Sequence, residues 1–169
     1  MTGTAVVIGI GNSFRRDDGV GTAVADRIAR RRLPGVRVVT ATGEPAALLE
    51  AWTGAARAVV VDALAGGDST PGRVRRWSGD DLGCVTALSS HALGLAQTAA
   101  LGRALGRMPD ELVVFTVDIA DTGHGLGLTP AIAAAVPAVI DAVLAELARG
   151  MGAGWPPHLG RAVDRHSDV

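Results

Sequence analysis

Three polar positions in this 169-residue chain stand where an α/β sheet would place reactive groups. Asp17 and Asp18 follow the apolar run that ends in Gly9-Ile10-Gly11, Asp62 ends another apolar run, and His91 opens a helical segment. Two carboxylates and an imidazole suit a borderline divalent ion such as nickel or zinc, with positions left open for water or substrate. A helix N-terminus disfavours the charged form of histidine, and the neutral imidazole is the form that binds metal.

Each of these residues also has an ordinary structural explanation. An aspartate near a helix N-terminus caps the helix or complements its dipole, which would account for either Asp17 or Asp18. An aspartate after a strand, such as Asp62, is common in turns, and a histidine such as His91 is often a polar neighbour of a cap. The sequence alone does not choose between Asp17 and Asp18 as a ligand.

The first glycine-rich loop resembles a nucleotide-binding turn but differs in its chemistry. The dinucleotide fingerprint requires a third glycine for close helix–strand packing, and Phe14 stands at that position. Asp17 and Asp18 would repel a pyrophosphate at the helix N-terminus that normally attracts one. The loop is therefore better suited to a cation, and Gly9 and Gly11 are assigned to the tight turn.

Composition limits the function classes. The net charge of −1 gives no general attraction to nucleic acid or to an anionic membrane, and the one cysteine, Cys84, excludes a disulfide framework or a thiolate zinc cluster within the chain. A reducing cytoplasm fits this composition. The apolar stretch over residues 130–148 is interrupted by Pro137, Asp141 and Glu146, which predicts a core-facing helix and no membrane span.

Strands and helices alternate along the chain. The patterns predict strands over residues 5–10, 36–41, 58–62, 73–77 and 112–117, and helices over residues 19–32, 45–52, 89–105 and 130–148. This order predicts a single α/β domain over residues 1–149. Its expected form is a three-layer, phosphorylase- or hydrolase-like sandwich with helices on both faces of a mostly parallel twisted sheet. Residues 73–77 are the expected antiparallel edge strand, and residues 150–169 the expected flexible tail.

Four stretches resemble the nickel-iron hydrogenase maturation endopeptidases. They are GIGNSFRRDDGVG at 9–21, VVVDAL at 59–64, SSHALGLAQTAAL at 89–101 and GLTPAIAAAVPAVI at 127–140. The resemblance runs in order over about residues 5–148, and the first and third stretches are the specific ones. The stretch from Thr40 to Pro45 departs from the Asp-Gly-Gly form found in some members, so the substrate hydrogenase is not assigned.

The resemblance implies a site and a reaction. By motif position, Asp18, Asp62 and His91 match the metal-site residues of the family, and Asp17 matches an accompanying acidic position that is not a ligand. The family removes a C-terminal extension from the hydrogenase large subunit after nickel insertion. The nickel comes with the large-subunit precursor and is what the enzyme recognises, so the resemblance implies neither an organic cofactor nor a resident metal.

Rival interpretations remain open from the sequence. A chaperone that checks nickel in the large subunit without cutting it would use the same ligands, and only cleavage separates it from an endopeptidase. A nucleotide-binding α/β protein is disfavoured by Phe14 and by the two aspartates. An α/β domain whose acidic residues merely cap helices gives no reason for Asp18, Asp62 and His91 to converge.

Overall fold

The computed structural model describes residues 4–66, 69–85 and 90–151. Within these ranges, the side chains of residues 84, 85 and 90–93 lie outside the description. The strands are β1 Ala5–Ile10, β2 Val36–Ala41, β3 Arg57–Leu64, β4 Val74–Ser78 and β5 Glu111–Asp118. The helices are α1 Val20–Ala29, α2 Pro45–Trp52, α3 Leu82–Val85, α4 Ser90–Leu105 and α5 Pro130–Gly150, with 3₁₀ turns over Arg16–Gly19 and Gly79–Asp81.

The five strands form one sheet in the order β2-β1-β3-β5-β4. The first four strands in this order pair in parallel, and β4 runs antiparallel to β5 at the edge. The predicted mostly parallel sheet with one antiparallel edge strand is therefore confirmed. Because the parallel strands share one direction, the loops that follow β1, β2 and β3 leave the sheet at a common carboxyl edge.

Alternate residues of the strands pack into two separate apolar layers. Val59 and Val61 of β3 face a core shared with α1 and α5, whereas Ala58 and Val60 face a core shared with α2 and α4. This is the period of two expected for strands covered on both faces. The helices thus lie on both faces of the sheet, which confirms the three-layer arrangement.

Helix α5 packs along the first of these layers. By length and by its mean hydropathy of 1.9 it could cross a membrane, yet Ile132, Val136 and Val143 are buried against the sheet. Pro137 lies inside the continuous helix on its exposed side. The prediction of a core-facing helix is confirmed. The helix ends at Gly150, Met151 is also buried, and the rest of the predicted flexible tail, residues 152–169, lies outside the described residues.

A buried carboxylate on α5 joins the helix to the amino end of β3. Glu146 is 3% exposed and accepts hydrogen bonds from Arg57 at 2.6 Å and from Arg76 at 2.9 and 3.0 Å, with Arg149 at 3.6 Å. The hydrogen bonds from Arg76 hold the pKa of Glu146 below its ordinary value, although burial acts in the opposite direction. Glu146 therefore ties α5 to β3 and β4 as an ion.

Several element boundaries differ from the sequence predictions. Strand β3 continues two residues past Asp62, so this carboxylate lies within the strand and not at its end. The first helix begins at Val20 after a 3₁₀ turn that contains Asp17 and Asp18, and it ends at Ala29. The short helix α3 was not predicted, because four residues carry too little periodicity to detect.

Candidate active site

The loop after β1 folds back so that Asp18 lies against it. A Cβ atom on Gly11 would lie 2.0 Å from the Asp18 carbonyl oxygen, so only glycine permits this approach. Asn12 donates its main-chain N–H to Asp18 Oδ2 at 3.2 Å, and its own side chain accepts the N–H of Phe14 at 3.0 Å. Asp18 is only 5% exposed, so the loop holds a buried carboxylate in a defined position.

The neighbouring carboxylate, Asp17, has a different role. It is fully buried, and its oxygens accept the main-chain N–H of Thr129 at 2.7 Å, the Thr129 hydroxyl at 2.9 and 3.0 Å, and the N–H of Asp121 at 3.1 Å. These bonds connect the 3₁₀ turn to the segment that leads into α5. The N-cap residues of the 3₁₀ turn and of α1 are Arg15 and Gly19, and neither makes a side-chain cap bond, but both aspartates lie in the first turn of the 3₁₀ helix, where a carboxylate complements the helix dipole.

Asp62 occupies the neighbouring strand at the same edge of the sheet. It is 3% exposed, and Oδ1 accepts the main-chain N–H of Ala63 at 2.8 Å. A small pocket of about 110 Å³ opens beside it. The pocket is lined by residues from β1, the loop after β2, α2, β3 and α4, namely Ile10, Thr42, Gly43, Leu48, Asp62, Gly94 and Leu95.

Glycine residues bring the elements that carry Asp18 and Asp62 into close contact. Gly9 of β1 pairs with Val61 of β3, and a Cβ atom on Gly21 would lie 2.3 Å from the Ile10 carbonyl oxygen and 2.4 Å from that of Val61. The first turn of α1, which follows Asp18, therefore packs directly on the residue before Asp62. Gly21 supplies the close helix–strand packing that the third glycine of a dinucleotide loop would supply.

This packing also corrects the interpretation of Gly9. Gly9 lies within β1 and not in the turn, and its missing side chain leaves room for Ala25 and for the carbonyl oxygen of Gly21. Gly11, at a φ of +155°, is the glycine of the turn itself. The two glycines therefore serve different purposes, one in packing and one in the turn.

His91 is the second residue of α4, and its side chain lies outside the part of the chain that the structure describes. It precedes Gly94 and Leu95 by three and four residues, the spacing at which helical residues share a face. The sequence Ser89-Ser90 at the start of this helix predicts a serine N-cap, and Ser89 is also outside the described residues. Among the described residues, no three histidine, cysteine or acidic side chains group as a metal site. The proposed set, which includes His91, stays a prediction.

Other polar side chains near the site have simpler placements. Arg15 and Arg16, whose sequence is compatible with a solvated loop face or with contacts to acidic groups of a partner, are exposed, as is His124, and the side chain of Cys84 lies outside the described residues. Thr42 and Gly43 were not predicted to line a pocket. Their place directly after β2 was a usable signal, because loops after parallel strands meet at one edge of the sheet.

Comparison with known proteins identifies the family. The family model for hydrogenase maturation protease, HycI, matches residues 22–146, most of the chain. This chain belongs to the hydrogenase maturation protease family. It is 25% identical over 146 residues to the hydrogenase 2 maturation protease of Escherichia coli K12, a match that covers 84% of this chain and 89% of the relative.

Solved structures of hydrogenase maturation proteases share the fold. The hydrogenase maturating endopeptidase HybD from E. coli has 22% identity and a TM-score of 0.76, over 86% of this chain and 93% of that chain. The [NiFe] hydrogenase maturation protease HybD from Thermococcus kodakarensis has 22% identity and a TM-score of 0.69, over 83% and 96%. Membership of the family makes this chain a maturation endopeptidase.

Proposed function

We propose that this protease removes a C-terminal extension from the precursor of a nickel-iron hydrogenase large subunit, and that it recognises the nickel already inserted there. The observation that carries the proposal is the position of Asp62, a buried carboxylate in the wall of a pocket at the carboxyl edge of the sheet. The loop that holds Asp18 leaves the adjacent strand at this edge. The hydrogenase maturation protease family supplies the reaction class.

The proposed ligands for the nickel of the substrate are Asp18, Asp62 and His91. Ionised carboxylates in a buried setting are costly unless hydrogen bonds or a cation compensate them, so an arriving divalent ion gains a favourable electrostatic interaction. Carboxylate oxygen and imidazole nitrogen are both acceptable donors for nickel. The N–H groups of Asn12 and Ala63 fix the two carboxylates beforehand, which lowers the cost of ordering them on binding.

The proposed chemistry is hydrolysis of a peptide bond close to the nickel. The metal polarises the scissile carbonyl as a Lewis acid, and a carboxylate takes a proton from the attacking water, a role open to Asp18 or Asp62. In this respect the chemistry resembles that of an aspartic-type endopeptidase. Because the nickel arrives with the substrate, purified protein without metal is consistent with the proposal.

The proposal also includes what cleavage does to the hydrogenase and where in the cell it takes place. Cleavage activates the hydrogenase by freeing the end of the large subunit, so the protease acts as an enzyme activator. We also expect the reaction to take place in the cytoplasm, since a chain with a single cysteine fits a reducing compartment.

A cleavage assay tests this function. The protein is mixed with a large-subunit precursor encoded in its own genome, either loaded with nickel or free of it, and the products are weighed by mass spectrometry. The expected result is release of a C-terminal fragment from the nickel-loaded precursor alone. Tight nickel-dependent binding without cleavage would favour a checking chaperone instead. Equal cleavage of both precursors would contradict nickel recognition.

A further inference from the structure

Two loops beside the candidate site are joined into one surface. Gly125 donates its main-chain N–H to the Phe14 carbonyl at 2.9 Å, and Arg16 donates its N–H to the Gly125 carbonyl at 3.0 Å. The Arg16 side chain packs over Gly125 and lies 3.6 Å from the Asp121 carboxylate. Together with the buried bonds of Asp17, these contacts hold the loop after β1 and the loop before α5 in a fixed relation.

This joined surface exposes two large apolar side chains. Phe14 is 67% exposed and Leu126 is 71% exposed, the highest values among the large hydrophobic residues of the described ranges. Leu126 directly follows Gly125, whose N–H bonds to the Phe14 carbonyl, so the two exposed side chains stand on adjoining segments of a fixed surface, as in many interaction sites. We define the rim as Phe14, Arg15, Arg16 and Leu126.

The rim carries two arginines, of which Arg16 is partly balanced by the Asp121 carboxylate, and most of it belongs to the loop that holds Asp18. Arg15 and Arg16 are both exposed and flank the apolar side chains. Phe14 is bonded to Asn12, the same residue whose N–H holds the Asp18 carboxylate. A molecule that contacts the rim therefore also contacts the loop on which Asp18 depends.

We infer that the rim is the docking surface for the folded body of the hydrogenase large-subunit precursor, through an apolar segment bordered by acidic side chains. This inference rests on the proposed function, because it assigns the protein surface that accompanies the nickel into the site. Apolar contact with Phe14 and Leu126 supplies affinity, and Arg15, helped by Arg16 beyond its pairing with Asp121, favours an acidic border and faster association. Nickel contact and rim contact together restrict cleavage to a precursor that presents both features.

The test compares two double variants with matched changes in exposed apolar residues. Phe14→Ser/Leu126→Ser removes the apolar part of the rim, and Leu101→Ser/Leu105→Ser makes the same kind of change on α4, where the side chains are 44% and 55% exposed. The rim variant should weaken binding of the nickel-loaded precursor and raise KM by about tenfold or more, while kcat stays within about twofold. The α4 variant should bind and cleave like the wild type.

A charge variant sharpens the test. Arg15→Glu should weaken binding of the precursor at low salt, and the difference from the wild type should shrink as ionic strength rises. Unfolding midpoints of all variants should match the wild type, since these side chains are exposed.

Three results would overturn the inference. The first is a rim variant that binds and cleaves the precursor with the KM of the wild type. Because the wild type still cleaves in that case, the proposed function would stand and only the docking surface would be wrong. The second is an equal loss in the rim and α4 variants. The third is a change in the oligomeric state of the rim variant relative to the wild type, measured without the precursor. That result would assign the rim to contacts with a second copy of this chain. Should the wild type bind the precursor without cutting it, the proposed function fails and the binding comparison still decides on the rim.

Discussion

Glu146, at the amino end of β3, and the candidate-site carboxylates Asp18 and Asp62, at the carboxyl end of the sheet, are held in different ways, although buried Asp118 at the end of β5 also pairs with a guanidinium, that of Arg75 at 3.0 Å. At the amino end of β3, Glu146 accepts hydrogen bonds from the guanidinium groups of Arg57 and Arg76, which joins three elements of regular structure. At the carboxyl end, main-chain N–H groups donate to Asp18 and Asp62. Side-chain ion pairs tie elements together and serve stability, whereas amide contacts fix the geometry of single residues and loops. Substitutions at the two ends should therefore separate folding stability from activity.

The largest expected effect is at the carboxyl end and concerns activity. Asp18→Asn, Asp62→Asn and His91→Ala should each reduce release of the C-terminal fragment by about a hundredfold or more, because each removes a proposed ligand or base. Cleavage of nickel-loaded precursor, followed by mass spectrometry, measures this loss.

The matched control is Asp26→Asn, which makes the same chemical change at an exposed position of α1. It should cleave like the wild type. The unfolding midpoints of the aspartate variants should remain high enough for full folding at the assay temperature. Wild-type cleavage in any two of the three site variants would remove the proposed site.

The second effect is at the amino end and concerns stability. Glu146→Gln should lower the free energy of unfolding by roughly 3 kcal/mol, because it leaves two buried or half-buried guanidinium groups without their shared carboxylate. Denaturant unfolding at neutral pH measures this change, with Asp141→Asn on the exposed side of α5 as the control. Activity per folded molecule should be unchanged, and a selective loss of activity would contradict the separation of the two ends.

The pH dependence of this stability has a defined sign. The pKa of Glu146 is depressed in the folded protein by the hydrogen bonds from Arg76, so its contribution is fully present above the ordinary carboxyl pKa of 4.5 and is lost as pH falls through the lower folded value. The stability difference between the wild type and Glu146→Gln should therefore shrink under acid conditions. A difference that stays constant down to the acid transition would show that Glu146 acts through packing alone.

A smaller effect is expected at Asp17, where one substitution should lower both folding stability and activity. Asp17→Asn should lower the free energy of unfolding by about 2 kcal/mol, since an amide cannot accept all the hydrogen bonds that Thr129 and Asp121 donate to the carboxylate. Because the same 3₁₀ turn carries Asp18, cleavage should also fall, by about tenfold. Asp26→Asn again serves as the control. Unchanged stability with abolished cleavage would indicate that Asp17 contributes directly to the chemistry.

The sequence allowed much of the sheet to be predicted because its strands are short apolar runs between clear turn signals. The predicted bounds of β1 and β2 agree with the structure, and the antiparallel edge strand is displaced by one residue. Residue types and spacing did not separate Asp17 from Asp18; the family resemblance did so by motif position, and the fold shows which groups Asp17 contacts. The partners of Asp17 lie more than a hundred residues away, so local patterning carried no information about them.

The separate roles of Gly9, Gly11 and Gly21 also could not be predicted from the sequence and became visible only in the structure. Spacing alone placed Gly9 and Gly11 together in a turn, but a glycine that allows a close approach and a glycine that allows a turn look the same in sequence. Gly21 replaces the missing third glycine from a position seven residues after Phe14. Only the packing of α1 on β1 and β3 reveals this substitution.

The central claim is that this protein adds its own ligands to the nickel of its substrate, and nickel X-ray absorption tests it most directly. The nickel-loaded precursor is measured alone, after mixing with the wild type and freezing before cleavage, and after mixing with Asp62→Asn. The account predicts additional oxygen and nitrogen neighbours around nickel with the wild type and fewer with the variant. An unchanged nickel spectrum in a complex shown to have formed would contradict it.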